Sequence, residues 1–452
     1  MAVMPMACSI GSSMNTRHIR SQLSYPVNFQ DGRSAHGEDS SEASRGQSDH
    51  RLCQPWRDRQ ELLARSGGFP LARVRAVLAS TGKASVRERD LPAHVMVYYT
   101  IALALYMQSS YKEVLRCLLE GLQWLADPAQ GIRVAGHSGI SQARTRLGAE
   151  PLRQLHDELV KPIATAATRG AWYRQWRLIS IDGSTMDVAD ERANEAAFGR
   201  PGASRGDSAY PQLRFVSLVE NGTHVLFGTR IGPYATGENT LALDVLGALD
   251  ATMLCLADRG FFGYSMWCQA TATGAKLLWR VKKNAVLPCE KRLSDGSYLS
   301  RIFASASDRR HQRGGIVVRV IEYRLEGATV KLAEAEPIYR LLSNLLDPEA
   351  APAAELAALY QERWEIETAL DELKTHLRGA RIVLRSKTPE LVRQELYGLL
   401  MAHFALRALM HEAALVADID ADRLSFVHAV RVVRRKLPAF NAIPPCAEES
   451  LS

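Results

Sequence analysis

The sequence predicts an α/β fold in which helices cover both faces of a mixed sheet. Three observations support this class. Residues 51–170 have a helical pattern, short apolar runs of strand type alternate with helical segments from residue 171 onward, and helices resume at Pro352. Strand-like runs that alternate with helical segments are typical of a sheet covered by helices. A β-rich insertion is predicted at 284–345, where polar turns separate further strand-like runs.

Composition narrows the class of partner. The 452 residues correspond to about three domain-sized units, and 46% of them are hydrophobic, which is enough for a sizeable core. A net charge of +7 and a pI of about 9.0 favour a polyanionic partner, most often nucleic acid. The seven cysteines are widely spaced and form no Cys-x-x-Cys pair, which excludes a disulfide framework and fits a reducing cytoplasm. The apolar stretch Val95–Met107 is shorter than the ~20 residues that cross a bilayer, so no membrane partner is expected.

The N-terminal part divides into two regions. Residues 1–50 are rich in Ser, Gly, His and charge, and are predicted to be disordered. Residues 51–170 are predicted to form a helical DNA-binding domain. Within it Ile140–Leu147 is a short basic helix after a glycine-containing turn, with Ser141 placed to cap it. Such a helix suits a helix-turn-helix reader of DNA, and the alternative is a solvated helix packed on the next domain.

The order of elements after residue 171 resembles the ribonuclease-H-like fold, which we predict for 171–283 and 346–385. Leu178–Ile181 is a short apolar run, and a hairpin is predicted around Asn221-Gly222, the dipeptide whose two residues take φ > 0 in a two-residue turn. The flanking strands and the elements that follow are expected at Leu213–Val219, His224–Ile231, Glu238–Leu249 (helix), Thr252–Ala257, Phe262–Ala272 (helix) and Lys276–Val281.

Two strands are predicted in the insertion, and the rest of the chain is helical. The insertion strands are Gly315–Tyr323 and Pro337–Leu342. A helix begins at Pro352 and is stopped by Gly379, because proline suits a first turn and glycine suits the residue after a helix. The C-terminal helical region at 386–452 contains one helix capped by Thr388 and another at Leu424–Lys436.

Two aspartates follow apolar strands. Asp182 comes after Leu178–Ile181, and Asp258 comes after Met253–Ala257. Taken alone, an Asp-Gly pair is usually a turn. Two strands of one sheet that each deliver an aspartate near their ends can bring the carboxylates within metal-bridging reach, and Mg²⁺ prefers such oxygen ligands.

A third acidic residue lies on the helix that begins at Pro352. At about 100° per residue, Tyr360, Arg363, Glu367 and Lys374 fall within a stripe of about 60°. An ordinary solvated Arg–Glu pair at i, i+4 would explain Arg363 and Glu367, but it would not require the other two.

The spacing Tyr360-x-x-Arg363-x-x-x-Glu367-x-x-x-x-x-x-Lys374 is similar to the Tyr-Arg-Glu-Lys signature of bacterial insertion-sequence transposases of the Asp-Asp-Glu (DDE) class. The resemblance extends from about residue 90 to 415. Further similar motifs, in the same order as in that group, are Ile181-Asp182-Gly183-Ser184-Thr185, Ala197-Phe198-Gly199, Ser204-Arg205-Gly206, Tyr210-Pro211-Gln212-Leu213 and Ala257-Asp258-Arg259-Gly260-Phe261.

The resemblance implies a catalytic and metal-binding set. Asp182, Asp258 and Glu367 would hold two Mg²⁺ or Mn²⁺ ions, of which one activates a water or a 3′-OH and the other stabilises the leaving oxygen. The distance along the chain between the last two acids exceeds what a bare fold of this kind needs, and the insertion at 284–345 accounts for it.

The resemblance also implies DNA-binding residues. Arg363 and Lys374 would bind phosphates, and Tyr360 would contact a phosphate or stack on a base. Close relatives form a hairpin on the transposon end, which often needs a flipped base. Trp279 and Trp364 are candidates to hold that base, and core packing is the alternative for both.

Several charged neighbours are assigned lesser roles. Asp187 is a candidate support residue behind the first strand, whereas Glu365 and Asp371 are expected to be solvated. Basic residues also lie near the motifs and at the end of the C-terminal helix. They would either contact DNA phosphates or only carry surface charge: Arg200, Arg205, Arg214, Arg280, Lys282, Lys283 and Arg431–Lys436.

The sequence therefore predicts a cut-and-paste DNA transposase. It would cleave double-stranded DNA at terminal inverted repeats with metal ions, transfer the strands into target DNA, work as a homodimer on DNA, and reside in the bacterial cytoplasm. The alternatives are an inactive relic or DNA-binding regulator, a structure-selective nuclease on the same fold, and a helical scaffold without a nucleic-acid role.

Overall fold

The computed structural model describes residues 68–86, 91–126, 135–203, 206–207, 210–324, 338–379 and 382–436. The segment predicted to be disordered, 1–50, lies outside these ranges, as do Arg205 and Pro337.

The described part of residues 68–159 consists of helices joined by turns, as predicted, whereas residues 160–170, which were also expected to be helical, form turns and irregular structure. The helices are α1 (Leu71–Ser80), α2 (Ala93–Leu105), α3 (Tyr111–Ala126), α4 (His137–Leu147) and α5 (Glu150–Leu159).

The predicted cap of the basic helix is wrong. Helix α4 begins at His137, and Gly136 is its N-cap with an extended backbone and no side-chain cap. Ser141 lies inside the helix. Arg144 is buried, and its guanidinium donates to Gln394 Oε1 at 2.8 Å and to Ser386 Oγ at 3.0 Å. This arginine therefore fastens α4 to the later helices and is not available to contact DNA.

The central sheet has the predicted ribonuclease-H-like order. Its strands lie in the order β6-β5-β2-β7-β8, with β2, β7 and β8 parallel and β5 antiparallel to both of its neighbours. The elements of this part are β1 (Trp172–Tyr173), β2 (Trp176–Asp187), α6 (Arg192–Phe198), β3 (Gly202–Ala203), β4 (Gly206–Asp207), β5 (Gln212–Glu220), β6 (Val225–Pro233), α7 (Glu238–Val245), a 3₁₀ turn (Leu246–Ala248), β7 (Met253–Ala257), α8 (Tyr264–Ala272) and β8 (Lys276–Arg280).

Strand β2 is longer than predicted. It does not end at Ile181 but continues to Asp187, because β5 pairs with it along its whole second half. Its other edge loses its partner earlier, since the pairing with β7 stops at Ile181 and Ala257.

The predicted hairpin exists, but its turn is wider than two residues. Strands β5 and β6 pair up to Glu220 and Val225, and positive φ occurs at Gly222 (79°) and His224 (58°), not at Asn221. Tertiary contacts explain the wider turn, because Asn221 Oδ1 accepts from Ser180 Oγ at 2.9 Å and its Nδ2 donates to a helix carbonyl at 2.8 Å.

The insertion extends the central sheet instead of forming a separate one. Strand β12 pairs antiparallel with β8, and β11, β10 and β9 follow in order. The two predicted strands are confirmed by β11 and β12, whereas two shorter strands and a short helix were missed. The elements are β9 (Lys291–Arg292), β10 (Tyr298–Ile302), α9 (Ala306–Arg310), β11 (Ile316–Tyr323) and β12 (Tyr339–Ser343).

The signature helix begins after Pro352 and stops before Gly379, as predicted, but its winding changes along its length. A 3₁₀ segment and a π segment interrupt the α-helix. The segments are α10 (Ala353–Leu359), 3₁₀ (Tyr360–Trp364), α11 (Glu365–Asp371) and π (Glu372–Leu377). A uniform 100° per residue is therefore only an approximation for the four signature residues.

The long C-terminal helix packs between the N-terminal helices and the central sheet. They are α12 (Pro389–Val416), a 3₁₀ turn (Ala421–Arg423) and α13 (Phe426–Lys436). Thr388 is the N-cap of α12, as predicted, although its side chain makes no cap bond. Among the described residues, α12 alone is long and apolar enough to cross a membrane, but 67% of its apolar window is buried inside the protein, as expected of a core helix.

We predict that Gly398→Ala destabilises the junction of α2 and α12 by about 1–3 kcal/mol, because added atoms overpack a close helix contact. A Cβ at Gly398 would lie 2.6 Å from the carbonyl oxygen of Thr100. The midpoint of urea unfolding measures the effect. In the control Gly139→Ala, in helix α4, the new Cβ would lie 3.7 Å from its nearest neighbour, so an equal loss there would contradict the packing account.

Candidate active site

Two of the predicted acids lie side by side on parallel strands. The β2–β7 ladder ends at Ile181 and Ala257, so Asp182 is the next residue of β2 and Asp258 directly follows the end of β7. Residues at equivalent register on neighbouring strands project to the same face of a sheet. On the other edge of β2, Asp182 pairs with Ser217, where the register between β5 and β6 shifts.

Asp182 lies in a half-buried, negatively charged environment. Its Oδ1 accepts the N–H of Gly183 at 2.8 Å. Burial raises the pKa of Asp182 to about 6, the Gly183 N–H and Arg363 oppose this change, and the charges of Glu238 and Glu367 add to it. A cation near this carboxylate would offset both the cost of burying its charge and the repulsion from the neighbouring carboxylates.

Asp258 keeps an unused acceptor. Its Oδ1 is buried and has no hydrogen-bond partner among the described residues, and the guanidinium of Arg280 lies 3.9 Å away. The end of β7 is fixed by Tyr360, whose hydroxyl donates to the carbonyl of Ala257 at 3.2 Å.

Glu367 faces the two aspartates from α11. Its carboxylate lies 3.6 Å from Nη2 of Arg363. Burial raises the pKa of Glu367, Arg363 lowers it, and the charge of Asp258 raises it further. Since Glu367 also acts on the pKa of Asp182, the structure brings all three acids to one end of the sheet.

The three carboxylates are neighbours but do not form a closed ion cage. Within the described ranges, no group of three His, Cys, Asp or Glu side chains has metal-binding geometry. Arg280 lies beside Asp258 and Arg363 lies beside Glu367, so each arginine partly compensates the charge of one carboxylate. The donor set still fits Mg²⁺ or Mn²⁺, because all of its ligands are carboxylates and one oxygen of Asp258 is buried without a hydrogen bond.

The other signature residues are more buried than a DNA-facing stripe would be. Tyr360 and Arg363 are both buried, and the guanidinium of Arg363 stacks on Trp364 at 4.7 Å. Lys374 is half-buried, its Nζ donates to Ser184 Oγ at 2.8 Å, and burial lowers its pKa. In this conformation the hydroxyl of Tyr360 is committed to β7, so its position indicates a support role for the Asp258 strand.

Of the two tryptophans considered for a flipped base, only Trp364 is accessible. Trp279 is fully buried and packs edge-on against Trp267 at 5.4 Å. It is a core residue because β8, which carries it, lies inside the extended sheet. Trp364 is 49% exposed.

The prediction that Glu365 is solvated is wrong. Its side chain is mostly buried, and its carboxylate accepts the N–H of Gly222 at 2.5 Å. Burial raises its pKa well above the ordinary value. Glu365 therefore ties the signature helix to the hairpin. Asp371 is exposed, as expected, and lies 3.3 Å from His376.

A buried ionic network that sequence reasoning missed holds the π segment. The carboxylate of Glu372 lies 3.3 Å from each of His224, His403 and Arg407. Burial opposes its ionisation, but Arg407 and the histidines outweigh burial and hold the pKa of Glu372 well below the ordinary value. The one sequence signal was His403 and Arg407, four residues apart in the stretch Leu396–Met410, which carries no other charged or titrating side chain except Tyr397.

A fourth acid near the site was also missed. Glu238, in the first turn of α7, lies against Gly183 and forms an ion pair with Arg214 at 3.3 Å. The signal was topological, because β6 runs parallel to β2 and ends at the same edge of the sheet.

The remaining charged candidates divide between structural and exposed positions. Asp187 accepts from Gln212 Nε2 at 2.7 Å, which fits the predicted support role. Arg200 pairs with acids of its own segment, and Arg434 donates to the backbone of α2. Exposed candidates are Lys282, Lys283, Arg431 and Arg435.

The order of strands and the three acids at one edge define a ribonuclease-H-like catalytic domain. Residues 175–405 match the family model described as "Transposase DDE domain", and residues 60–157 match "Insertion element 4 transposase N-terminal". The chain belongs to the DDE transposase family. It is a DNA transposase, an enzyme that cleaves DNA, in a family that uses divalent metal ions.

Two relatives come from Escherichia coli (strain K12). The chain is 27% identical to "Transposase InsG for insertion sequence element IS4" over 81% of each chain. It is 26% identical to InsZ over 51% of this chain and 74% of that protein. A cryo-EM structure of the piggyBac transposase synaptic complex with hairpin DNA aligns over 89% of this chain and 84% of its own, with 11% identity and a TM-score of 0.43, a likeness too distant to indicate function.

We predict that Glu372→Gln lowers the free energy of unfolding by roughly 3 kcal/mol at pH 7. The change removes the buried carboxylate at 3.3 Å from Arg407 and leaves this buried guanidinium with Asp422 at 3.7 Å. The depressed pKa of Glu372 means that its contribution is present above the ordinary value of 4.5 and is lost as the pH falls through its folded pKa. The free energy of unfolding, measured by urea titration at pH 7 and at pH 4, should differ less between the variant and the wild type at pH 4.

Asp371→Asn is the matched control for this prediction. The neighbouring side chain is 56% exposed and pairs with His376 alone, so the change should stay within about 0.5 kcal/mol. Equal losses from both variants would show that the buried network is not responsible.

Proposed function

We propose that this chain is a cut-and-paste transposase that cleaves DNA at terminal inverted repeats and joins the freed ends to target DNA. The observation that supports this most is the parallel register of β2 and β7, which sets Asp182 beside Asp258 with Glu367 facing them. Such a cluster of carboxylates serves phosphodiester chemistry without a covalent protein nucleophile.

Asp182, Asp258 and Glu367 would hold the divalent ions. When bound, two Mg²⁺ or Mn²⁺ ions supply an activated nucleophile and stabilise the leaving 3′ oxygen. Asp258 offers its buried, unbonded Oδ1 to this task. Asp182 lies on a paired strand, and the N–H of Gly183 fixes its carboxylate. One ligand would therefore lie within the rigid sheet and a second, Asp258, directly at the end of a strand.

Arg363 and Lys374 would bind the phosphates of the transposon end. Arg363 lies 3.6 Å from Glu367 and lowers the pKa of Asp182. Cations at the carboxylates would release this guanidinium, which can grip a phosphate with two donors. Lys374, held by Ser184 on the neighbouring strand, supplies a point charge further along the same helix. Tyr360 would have a supporting role, because its hydroxyl binds the carbonyl of Ala257 and so fixes the end of β7.

The partner is double-stranded DNA, consistent with the net charge of +7. Exposed lysines and arginines beside the site, among them Lys282 and Lys283, would add salt-dependent affinity. Because both transposon ends are cut in one complex in this class, we propose a homodimer assembled on DNA. The site of action would be the bacterial cytoplasm, on nucleoid DNA.

A second candidate function is DNA binding without cleavage, as in an inactive relic or a regulator. One observation favours it: Asp258 and Glu367 each lie beside an arginine, and within the described residues no group of three acids has metal-binding geometry. Metal-dependent nicking of a transposon-end duplex separates the two functions. A chain that binds the ends but never nicks them in Mg²⁺ or Mn²⁺ would be the regulator, and nicking without strand transfer would indicate a nuclease.

We predict that Glu367→Gln abolishes metal-dependent nicking but leaves end binding within about twofold, because the change removes a metal ligand and keeps the size of the side chain. Gel-shift titration and a nicking assay on the same duplex measure both properties. Asp371→Asn, one turn further along the helix and similarly exposed (56% against 48%), is the control and should nick normally. Parallel loss of binding and nicking in Glu367→Gln would count against a metal-ligand role.

We predict that Lys374→Ala weakens end binding and reduces the slope of log affinity against log salt by about one, as expected for the loss of one phosphate contact. Binding measured at a series of salt concentrations provides the slope. Lys387→Ala is the control, since that lysine is 79% exposed and paired with Glu191. An unchanged slope for Lys374→Ala would rule out the phosphate contact.

A further inference from the structure

Two basic side chains lie together at the C-terminal end of the signature helix. Lys374 and Arg378 are four residues apart, and Nε of Arg378 donates to the carbonyl of Lys374 at 3.2 Å. Arg378 is only 6% exposed, and its Nη1 is buried without a hydrogen-bond partner among the described residues. The end of the helix therefore contains a buried guanidinium with a donor that is still unused.

These two cations have no close counter-ion. In the described part of the chain, neither of them forms an ion pair with a carboxylate. Burial lowers the pKa of Lys374 and the charge of Arg378 lowers it further, while Asp187 and Asp371 oppose the change. Burial also lowers the pKa of Arg378, and Asp187 opposes it. Two poorly solvated like charges destabilise each other, and an anion placed between them would stabilise both.

The hydrogen bond to Ser184 places this cation pair beside the proposed metal ligands. Nζ of Lys374 donates to Oγ of Ser184 at 2.8 Å. Ser184 follows Asp182 by two residues in β2, so the two side chains project from the same face of the sheet, roughly 7 Å apart along the strand. The ammonium group of Lys374 therefore lies on the face of β2 that carries the Asp182 carboxylate.

We propose that Lys374, Arg378 and Ser184 form one subsite that binds a single phosphate group of the transposon end, close to the bond that is cut. This inference rests on the proposed phosphate contact of Lys374 and adds two residues to it. Lys374 supplies the ammonium group, Ser184 positions that group against β2, and Arg378 supplies a second positive charge and the unused N–H donor. A phosphate is the ligand class that fits, because its oxygens accept from several cationic donors at once.

The alternative is that Arg378 only compensates the negative end of the helix, where cations are favourable without any ligand. Arg434 provides an example, because this half-buried arginine of α13 donates to the carbonyl of Leu377 at 3.5 Å and to the carbonyl of Leu105. Arg434 contacts the same helix end but has its guanidinium directed at backbone carbonyls. It is therefore the matched control for Arg378.

The test is binding of the transposon-end duplex to the full chain in EDTA, which prevents cleavage, at several salt concentrations. Arg378→Gln should weaken binding roughly 10-fold at low salt, as expected for the loss of a hydrogen bond between charged groups, and Arg378→Lys should retain most of the affinity. In the double variant with Lys374→Ala the loss should be smaller than the product of the two single losses, because both residues bind one phosphate. Arg434→Gln should bind as wild type does.

Ser184→Ala provides a second variant that changes no charge and does not depend on the folding of Arg378→Gln. It should weaken binding, and Ser184→Thr, which keeps the hydroxyl, should restore it. If Lys374→Ala weakens binding but Arg378→Gln and Ser184→Ala do not, the proposed function stands and the subsite is refuted.

Two further outcomes would also contradict the proposal. Losses for Lys374→Ala and Arg378→Gln that multiply in the double variant would show two separate contacts and refute the shared phosphate. Equal weakening by Arg434→Gln would show that the helix end matters and the subsite does not. If none of the variants changes the affinity or its salt dependence, the proposed phosphate contact of Lys374 fails as well.

Discussion

The active site depends on one backbone constraint, the parallel pairing of β2 with β7. That ladder ends at Ile181 and Ala257, so the aspartates that follow share one face and one edge. Antiparallel pairing of β2 with β5 continues past this point and keeps Asp182 on a rigid strand. The hydroxyl of Tyr360, on the signature helix, donates a hydrogen bond to the carbonyl of Ala257 at the end of β7. The signature helix therefore supports the strand that precedes Asp258.

The signature helix is itself positioned from behind by buried polar contacts. Glu365 and Asn221 connect it to the β5–β6 turn, and Glu372 connects it to α12. These contacts lie on both sides of Glu367 along the chain, with the change from α to π winding between Glu367 and Lys374. Such a helix has little freedom to slide, so the reach of the Glu367 carboxylate is set by side-chain rotation.

Much of this arrangement was predictable from sequence because it is periodic or local. Strand-like runs, Pro352, Gly379 and the spacing of the four signature residues each have a local physical cause. The failures share a different cause. The continuation of β2 past Asp182, the wide turn at Gly222 and the buried positions of Glu365 and Arg144 are set by partners far along the chain. Local sequence patterns do not contain this information. For the same reason they could not predict that Glu238 lies against Gly183.

The insertion has a consequence for how such a domain could be reduced in size. Because Leu341–Ser343 of β12 pair with Leu278–Arg280 of β8, the insertion covers what would otherwise be a bare sheet edge. Excising it would leave the backbone donors and acceptors on this edge of β8 unpaired, which is the feature that lets sheets of separate molecules join. A chain shortened in this way would be smaller but would self-associate, unless a strand with charged residues or proline took the place of β12.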